Sequence, residues 1–193
     1  MEISASLVKK LRDMTDAGMM DCKKALVEVK GDIEKAVEYL RQKGLSKAAK
    51  KADRVAAEGI IALFSENGRA IMVEINSETD FVAKNETFKN LCTKTLELIN
   101  QNNINDIESL KNLKVDGVPF DDYLKGEIAK IGENIVVRRI ALLDSTPNTI
   151  VGAYLHSNSR IGTLVALKFK NTESKSKLKE LVNNLCMHAA AMK

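Results

Sequence analysis

Apolar residues recur along this chain with two periods, and the period changes at turn residues. Leu7, Val8, Leu11 and Met14 form one stripe at helical spacing, with Ser4 or Ser6 as the cap before it. Gly18 interrupts the stripe. A second helix is predicted from about Asp21 through Val29, ending at Gly31, because glycine suits the residue after a helix. Asp32 caps a third, with Ile33, Ala36, Val37 and Leu40 inward and Gly44 as its stop. Three short helices over 1–45 predict a compact helical domain close to the lower size for independent folding. Residues 46–57 are rich in Lys and Ala. Lys47, Lys50, Lys51 and Arg54 fall on one face there, which predicts a solvated basic linker helix.

Beyond Gly59 the pattern is that of strands. Two apolar runs, 59–64 and 69–75, flank Asn67-Gly68, a strong hairpin signal. Phe88, Leu91, Cys92, Thr95, Leu96 and Ile99 then repeat at helical spacing, to an end near Asn100. Residues 101–114 read as loop with a short helix from Asp106, and Gly117-Val118-Pro119 as a turn. Tyr123, Leu124, Ile128 and Ile131 predict a helix over 120–131, closed by Gly132. A strand follows over 134–143, then a second hairpin of 150–156 and 160–167 around Ser157-Asn158-Ser159. From Ser174 the chain reads as a helix carrying Leu178, Leu181, Val182, Leu185 and Met187.

Hairpin-plus-helix thus occurs twice. Gly59 matches Gly152, Arg69 matches Arg160, and Asn90-Leu91-Cys92 matches Asn184-Leu185-Cys186, at offsets of 93, 91 and 94 residues. A duplicated unit explains this, as does a shared hairpin–helix grammar. The predicted fold class is α+β: the helical domain, the linker, and a core of two related subdomains over 58–143 and 144–193.

Two places carry candidate chemistry. At the strand-to-helix corner of 76–85, Ser77, Thr79 and Asp80 compete as helix caps, and a carboxylate suits the positive end of a helix. Asp80 and Lys84 have the spacing of a helical ion pair. Phe81 lies seven residues before Phe88, so it either shares that core face or is presented to another protein. Spacing does not separate the two readings. At the first inter-helix turn, Met19 and Met20 are consecutive and cannot both point inward. Exposed thioethers there suit an adaptable protein contact.

Composition narrows the classes. Aromatic residues are 4% of the 193 and Trp is absent, so the core is aliphatic. The net charge of +4, from 30 basic and 26 acidic residues, is too mild to imply nucleic acid by itself. Three widely spaced cysteines and two histidines give no metal-ligand spacing and suit reduced, buried thiols in a cytoplasmic setting. The N-terminus has no apolar signal segment and no run is long enough to span a membrane. No phosphate-binding glycine loop and no catalytic triad is present, so no catalytic residues, metal or cofactor are expected and an enzyme is disfavoured.

Thr79-Asp80-Phe81-Val82-Ala83-Lys84-Asn85 resembles the signature of the elongation factor Ts family, which exchanges nucleotide on elongation factor Tu. A second stretch, Thr15-Asp16-Ala17-Gly18-Met19-Met20-Asp21-Cys22-Lys23-Lys24-Ala25-Leu26, resembles that family's N-terminal motif, with Asp16 where the family usually has glycine. The similarity covers the whole chain in the family's order. It implies a ubiquitin-associated-like fold for 1–45 and a guanine-nucleotide exchange role in translation elongation. Thr79, Asp80, Phe81, Val82, Arg12, Met19, Met20 and His156 are the implied contacts with elongation factor Tu. Asp80 and Phe81 are implied to push in near the partner's magnesium site. The family's relatives run on past Lys193, so the second subdomain is expected to be truncated. The sequence leaves a homodimer open as well; membrane and nucleic-acid partners are not expected. The competing reading, an RNA-binding adaptor, rests on Lys43, Lys47, Lys50 and Lys51, where no aromatic residues interleave for stacking.

Overall fold

A computed structural model describes residues 3–170 and 175–192. The first half comprises α1 (Ala5–Thr15), α2 (Met19–Glu28), α3 (Ile33–Ala49), β1 (Glu58–Glu66), β2 (Arg69–Ser77), α4 (Asp80–Lys84) and α5 (Glu86–Asn102). Then come α6 (Ile107–Asn112), β3 (Lys114–Val115), β4 (Val118–Pro119), α7 (Phe120–Ile131), β5 (Val136–Asp144), β6 (Thr149–Leu155), β7 (Gly162–Lys168) and α8 (Lys175–Ala191). The fold is mixed helix and sheet, α+β as predicted. Ser174, the expected start of the last helix, lies outside the described residues.

Two compact units divide the chain, 1–55 with 114–134, and 56–113 with 135–193. In the first, α1, α2 and α3 enclose Val8, Leu11, Cys22, Ala25, Leu26 and Ala36. Ser4 and Asp32 supply the predicted caps, accepting from the N–H groups of Leu7 and Lys35. Asp16 takes φ 51 and accordingly needs the left-handed conformation that Asp tolerates better than most residues.

Three expectations for this unit are corrected. Gly44 does not stop its helix, and no separate linker helix forms over 46–57, because α3 runs through to Ala49. Gly44 is buried, and a Cβ there would lie 3.5 Å from that of Ala129 on α7. Its small size serves helix packing, not termination. Met19 and Met20 open α2 instead of lying in the turn before it. Separately, Lys114–Asn134, which lies within the 58–143 subdomain expected from sequence, groups with the N-terminal helices in one compact unit. Asn134 shows one tie, its Nδ2 donating to the carbonyls of Ala52 and Arg54 at 3.3 and 2.8 Å.

In the second unit β1, β2 and β5 form an antiparallel sheet in that order, and β6 and β7 form a separate antiparallel pair. The Asn67-Gly68 turn has φ 51 and 80, the positive pair that a tight hairpin needs. The α5 stripe from Phe88 to Ile99 is buried against β1 and β2, and α8 packs on β6 and β7. The predicted α8 face is rotated. Val182, Cys186 and Ala190 are buried, while Leu181, Leu185 and Met187 are exposed. Close approach to the hairpin sets this rotation, since a Cβ on Gly152 would meet Val182 at 3.0 Å. The matched glycines therefore differ in role: Gly59 has φ +133 and no room for a side chain beside Ile75.

Candidate functional site

The corner between β2 and α5 is built from the strand end outward. Asn76 and Ser77 are buried polar residues. The Asn76 Nδ2 donates to the Glu58 carbonyl at 2.9 Å, and Arg138 Nε donates to the Asn76 Oδ1 at 2.6 Å. Arg138 also donates to the Ala56 carbonyl at 3.0 Å. The Ser77 hydroxyl donates to the Thr79 carbonyl at 3.0 Å. Of the three competing caps Thr79 is the one used; its Oγ1 accepts from the Val82 N–H.

On this base stands α4, one turn long. Ala83 is its buried residue, and Val82 is half-buried. Phe81 is two positions from Ala83, about 200° around a helix of 3.6 residues per turn. The ring therefore points into solvent and is 81% exposed. The core reading of Phe81 fails for a definite reason. Asn85 takes extended backbone and caps α5 afresh, accepting from the Thr87 N–H, so the face of Phe88 does not continue back to Phe81.

Asp80 pairs with Lys84 at 2.7 Å. This hydrogen bond holds its carboxyl below the usual carboxylate range, and the positive charges of Lys84 and Arg160 add to it. Arg160 belongs to the β6–β7 loop and is paired with Glu58 on β1. The Ser159 carbonyl accepts from the Ile61 N–H at 2.7 Å, a second tie between that loop and β1. His156 begins the same loop, exposed, with its Nδ1 3.1 Å from the Tyr154 hydroxyl. Thus Thr79, Asp80, Phe81, Val82 and His156 all belong to the second unit, with Arg160 linking the His156 loop electrostatically to Asp80.

Arg12, Met19 and Met20 belong to the first unit and are exposed, the two methionines by 48% and 64%. Both thioethers face outward; neither fills the core.

Sequence reading missed Asn76, Arg138 and Glu58. They are isolated polar residues whose partners lie far along the chain, so no local pattern marks them. Arg160 did leave a trace, as the repeat partner of Arg69, which pairs with Asp144 at 2.7 Å.

A groove of about 500 Å³ in the second unit is lined by Glu58, Ile61, Met72, Glu74, Arg139 and Arg160. Its acids are engaged: Glu58 by Arg160, and Glu74 by Arg139 at 2.5 Å. Among the described residues no buried side-chain polar atom lacks a partner, and no cluster of three or more His, Cys, Asp or Glu is placed to hold a metal. No helix among them is long and apolar enough to cross a membrane. The arrangement offers an exposed aromatic on a braced corner, which suits insertion into a partner more than acid–base chemistry.

The family profile described as Elongation factor TS matches residues 78–193, which include the whole corner from Glu78 onward and the His156 loop. Elongation factor Ts of Wolinella succinogenes is 61% identical over 194 residues, covering 100% of this chain and 55% of the relative. That of Helicobacter pylori strain G27 is 60% identical, covering 99% and 54%, and that of Helicobacter hepaticus 58%, covering 100% and 55%. The chain spans about half the length of the curated relatives it matches. The chain belongs to the elongation factor Ts family.

Proposed function

We propose that this chain binds elongation factor Tu and speeds release of its GDP, as a non-enzymatic exchange factor in translation elongation. The exposure of Phe81, on a corner braced by Asn76, Ser77 and Arg138, is the observation that carries the reading. Hydrophobic side chains of that size are ordinarily buried. Exchange then follows from linkage. A protein that binds the nucleotide-free partner better than the GDP-bound one weakens GDP by the same factor.

Phe81 acts in this reading as the wedge near the partner's magnesium and phosphate environment. Asp80 orients the wedge, held in turn by Lys84. Moving a cation away from phosphates removes the charge that neutralises them. Magnitudes require more than one contact. Taking a state from 1:99 to 99:1 needs about 5.5 kcal/mol of differential binding, whereas burying one Phe yields roughly 1.5–3 kcal/mol. Arg12, Met19, Met20, Thr79, Val82 and His156 are the residues proposed to supply the rest.

The RNA-adaptor reading is less well supported. Lys43 and Lys47 both bind Asp21, at 3.0 and 2.9 Å, which neutralises part of the basic face. The deciding experiment is release of labelled GDP from elongation factor Tu, with and without the chain. Faster release supports the exchange reading, and an unchanged rate overturns it.

A further inference from the structure

We propose that Met14, Met19 and Met20 form a reversible oxidation site, at which a hydroperoxide converts thioethers to sulfoxides and thereby weakens partner binding through the α1–α2 corner. The consequence for binding rests on the exchange reading; the chemistry of the site does not. Methionine is among the residue types most often buried. Here three of them lie between positions 14 and 20 with 57%, 48% and 64% of their surface exposed. Met14 lies in the last turn of α1, and Met19 and Met20 open α2.

The thiols contrast with them. Cys22, Cys92 and Cys186 are all buried. Burial pushes the Cys92 thiol up to about 12, so almost none of it is the reactive thiolate at neutral pH. An oxidant arriving at this surface meets thioethers before it meets thiols.

The step balances with hydrogen peroxide. A lone pair on Sδ attacks one peroxide oxygen and the O–O bond breaks. That oxygen stays on sulfur as the sulfoxide, and the other leaves as water after proton transfer. Sulfur loses two electrons and the peroxide gains two. Sulfoxide reductases reverse the change at the expense of a thiol reductant. A polar, chiral sulfoxide cannot replace an apolar thioether in a desolvated contact without leaving its oxygen short of a partner. Each sulfoxide so buried is expected to weaken binding about tenfold, equivalent to about 1.4 kcal/mol.

The test treats the whole chain with hydrogen peroxide, maps sulfoxides by peptide mass spectrometry, and measures binding to elongation factor Tu before and after. Met14, Met19 and Met20 are expected to oxidise ahead of the half-buried Met72, whose Sδ packs against Gly162. Oxidised wild type should bind about tenfold or more weakly, and methionine sulfoxide reductases should restore it. The triple variant M14L/M19L/M20L keeps near-isosteric side chains. Measured against its own untreated affinity, it should lose nothing on treatment, although Met187 and Met192 are also exposed and still oxidise. Unchanged binding by the oxidised wild type, or an equal loss in the triple variant, overturns the proposal. An untreated chain that fails to bind sinks the exchange reading first and the binding consequence with it; the untreated arm identifies that case.

Discussion

Arg138 donates its Nε–H to the buried Oδ1 of Asn76 at 2.6 Å, and this contact ties β5 to the end of β2 from which α4 departs. The Asn76 amide ties in β1 as well, through the Glu58 carbonyl. Asn76→Ala leaves that carbonyl and the Arg138 guanidinium each short of a partner. The expected cost is about 1–3 kcal/mol, read as a lower urea midpoint by circular dichroism. An unchanged midpoint contradicts the bracing role.

Gly59 offers a sharper steric case. A Cβ at its φ of +133 would lie 2.2 Å from the Ile75 carbonyl oxygen, a backbone atom that cannot swing aside. Gly59→Ala should destabilise by on the order of 3 kcal/mol. Gly117, at φ +87 with nothing within 4 Å, separates backbone preference from collision. Gly117→Ala should cost only about 1 kcal/mol. Thermal denaturation of the two variants checks the difference, and equal losses refute the collision.

Asp21 makes the stability of the first unit pH-dependent. Hydrogen bonds from Lys47 and Lys43 hold its carboxyl down to about 2. A carboxyl depressed on folding contributes stability above its unfolded value, near 4, and that contribution is lost as pH falls from about 4 to 2. Asp21→Asn should therefore be less stable than wild type at pH 7, by about 1 kcal/mol after solvent screening. The gap should close toward pH 2. A gap that is constant with pH excludes the ionised carboxylate as its source.

Much of this fold is legible in the sequence, because strong local signals agree with the packing. The α5 stripe from Phe88 to Ile99 is buried as its spacing predicts, and Asn67-Gly68 turns the hairpin it predicts. Where local and long-range demands differ, packing prevails. Gly44 reads as a helix stop but is a contact with Ala129. On α8, apolarity alone favours Leu181 and Leu185, yet the buried line is Val182, Cys186 and Ala190.

The candidate site was half legible. Its caps and the Asp80–Lys84 pair follow from spacing. The direction of Phe81 does not, since it depends on Asn85 breaking the helix just before Phe88. The Asn76–Arg138–Glu58 clamp joins residues 58, 76 and 138, and no single window of sequence contains all three.

The most direct measurement is the rate of labelled-GDP release from elongation factor Tu in the presence of Phe81→Ala. Because the ring is exposed, its removal should shift the denaturation midpoint by no more than about 0.5 kcal/mol of stability. Losing roughly 1.5–3 kcal/mol of burial in the complex should slow release about ten- to hundredfold. A normally folded Phe81→Ala chain that exchanges nucleotide at the wild-type rate contradicts the wedge.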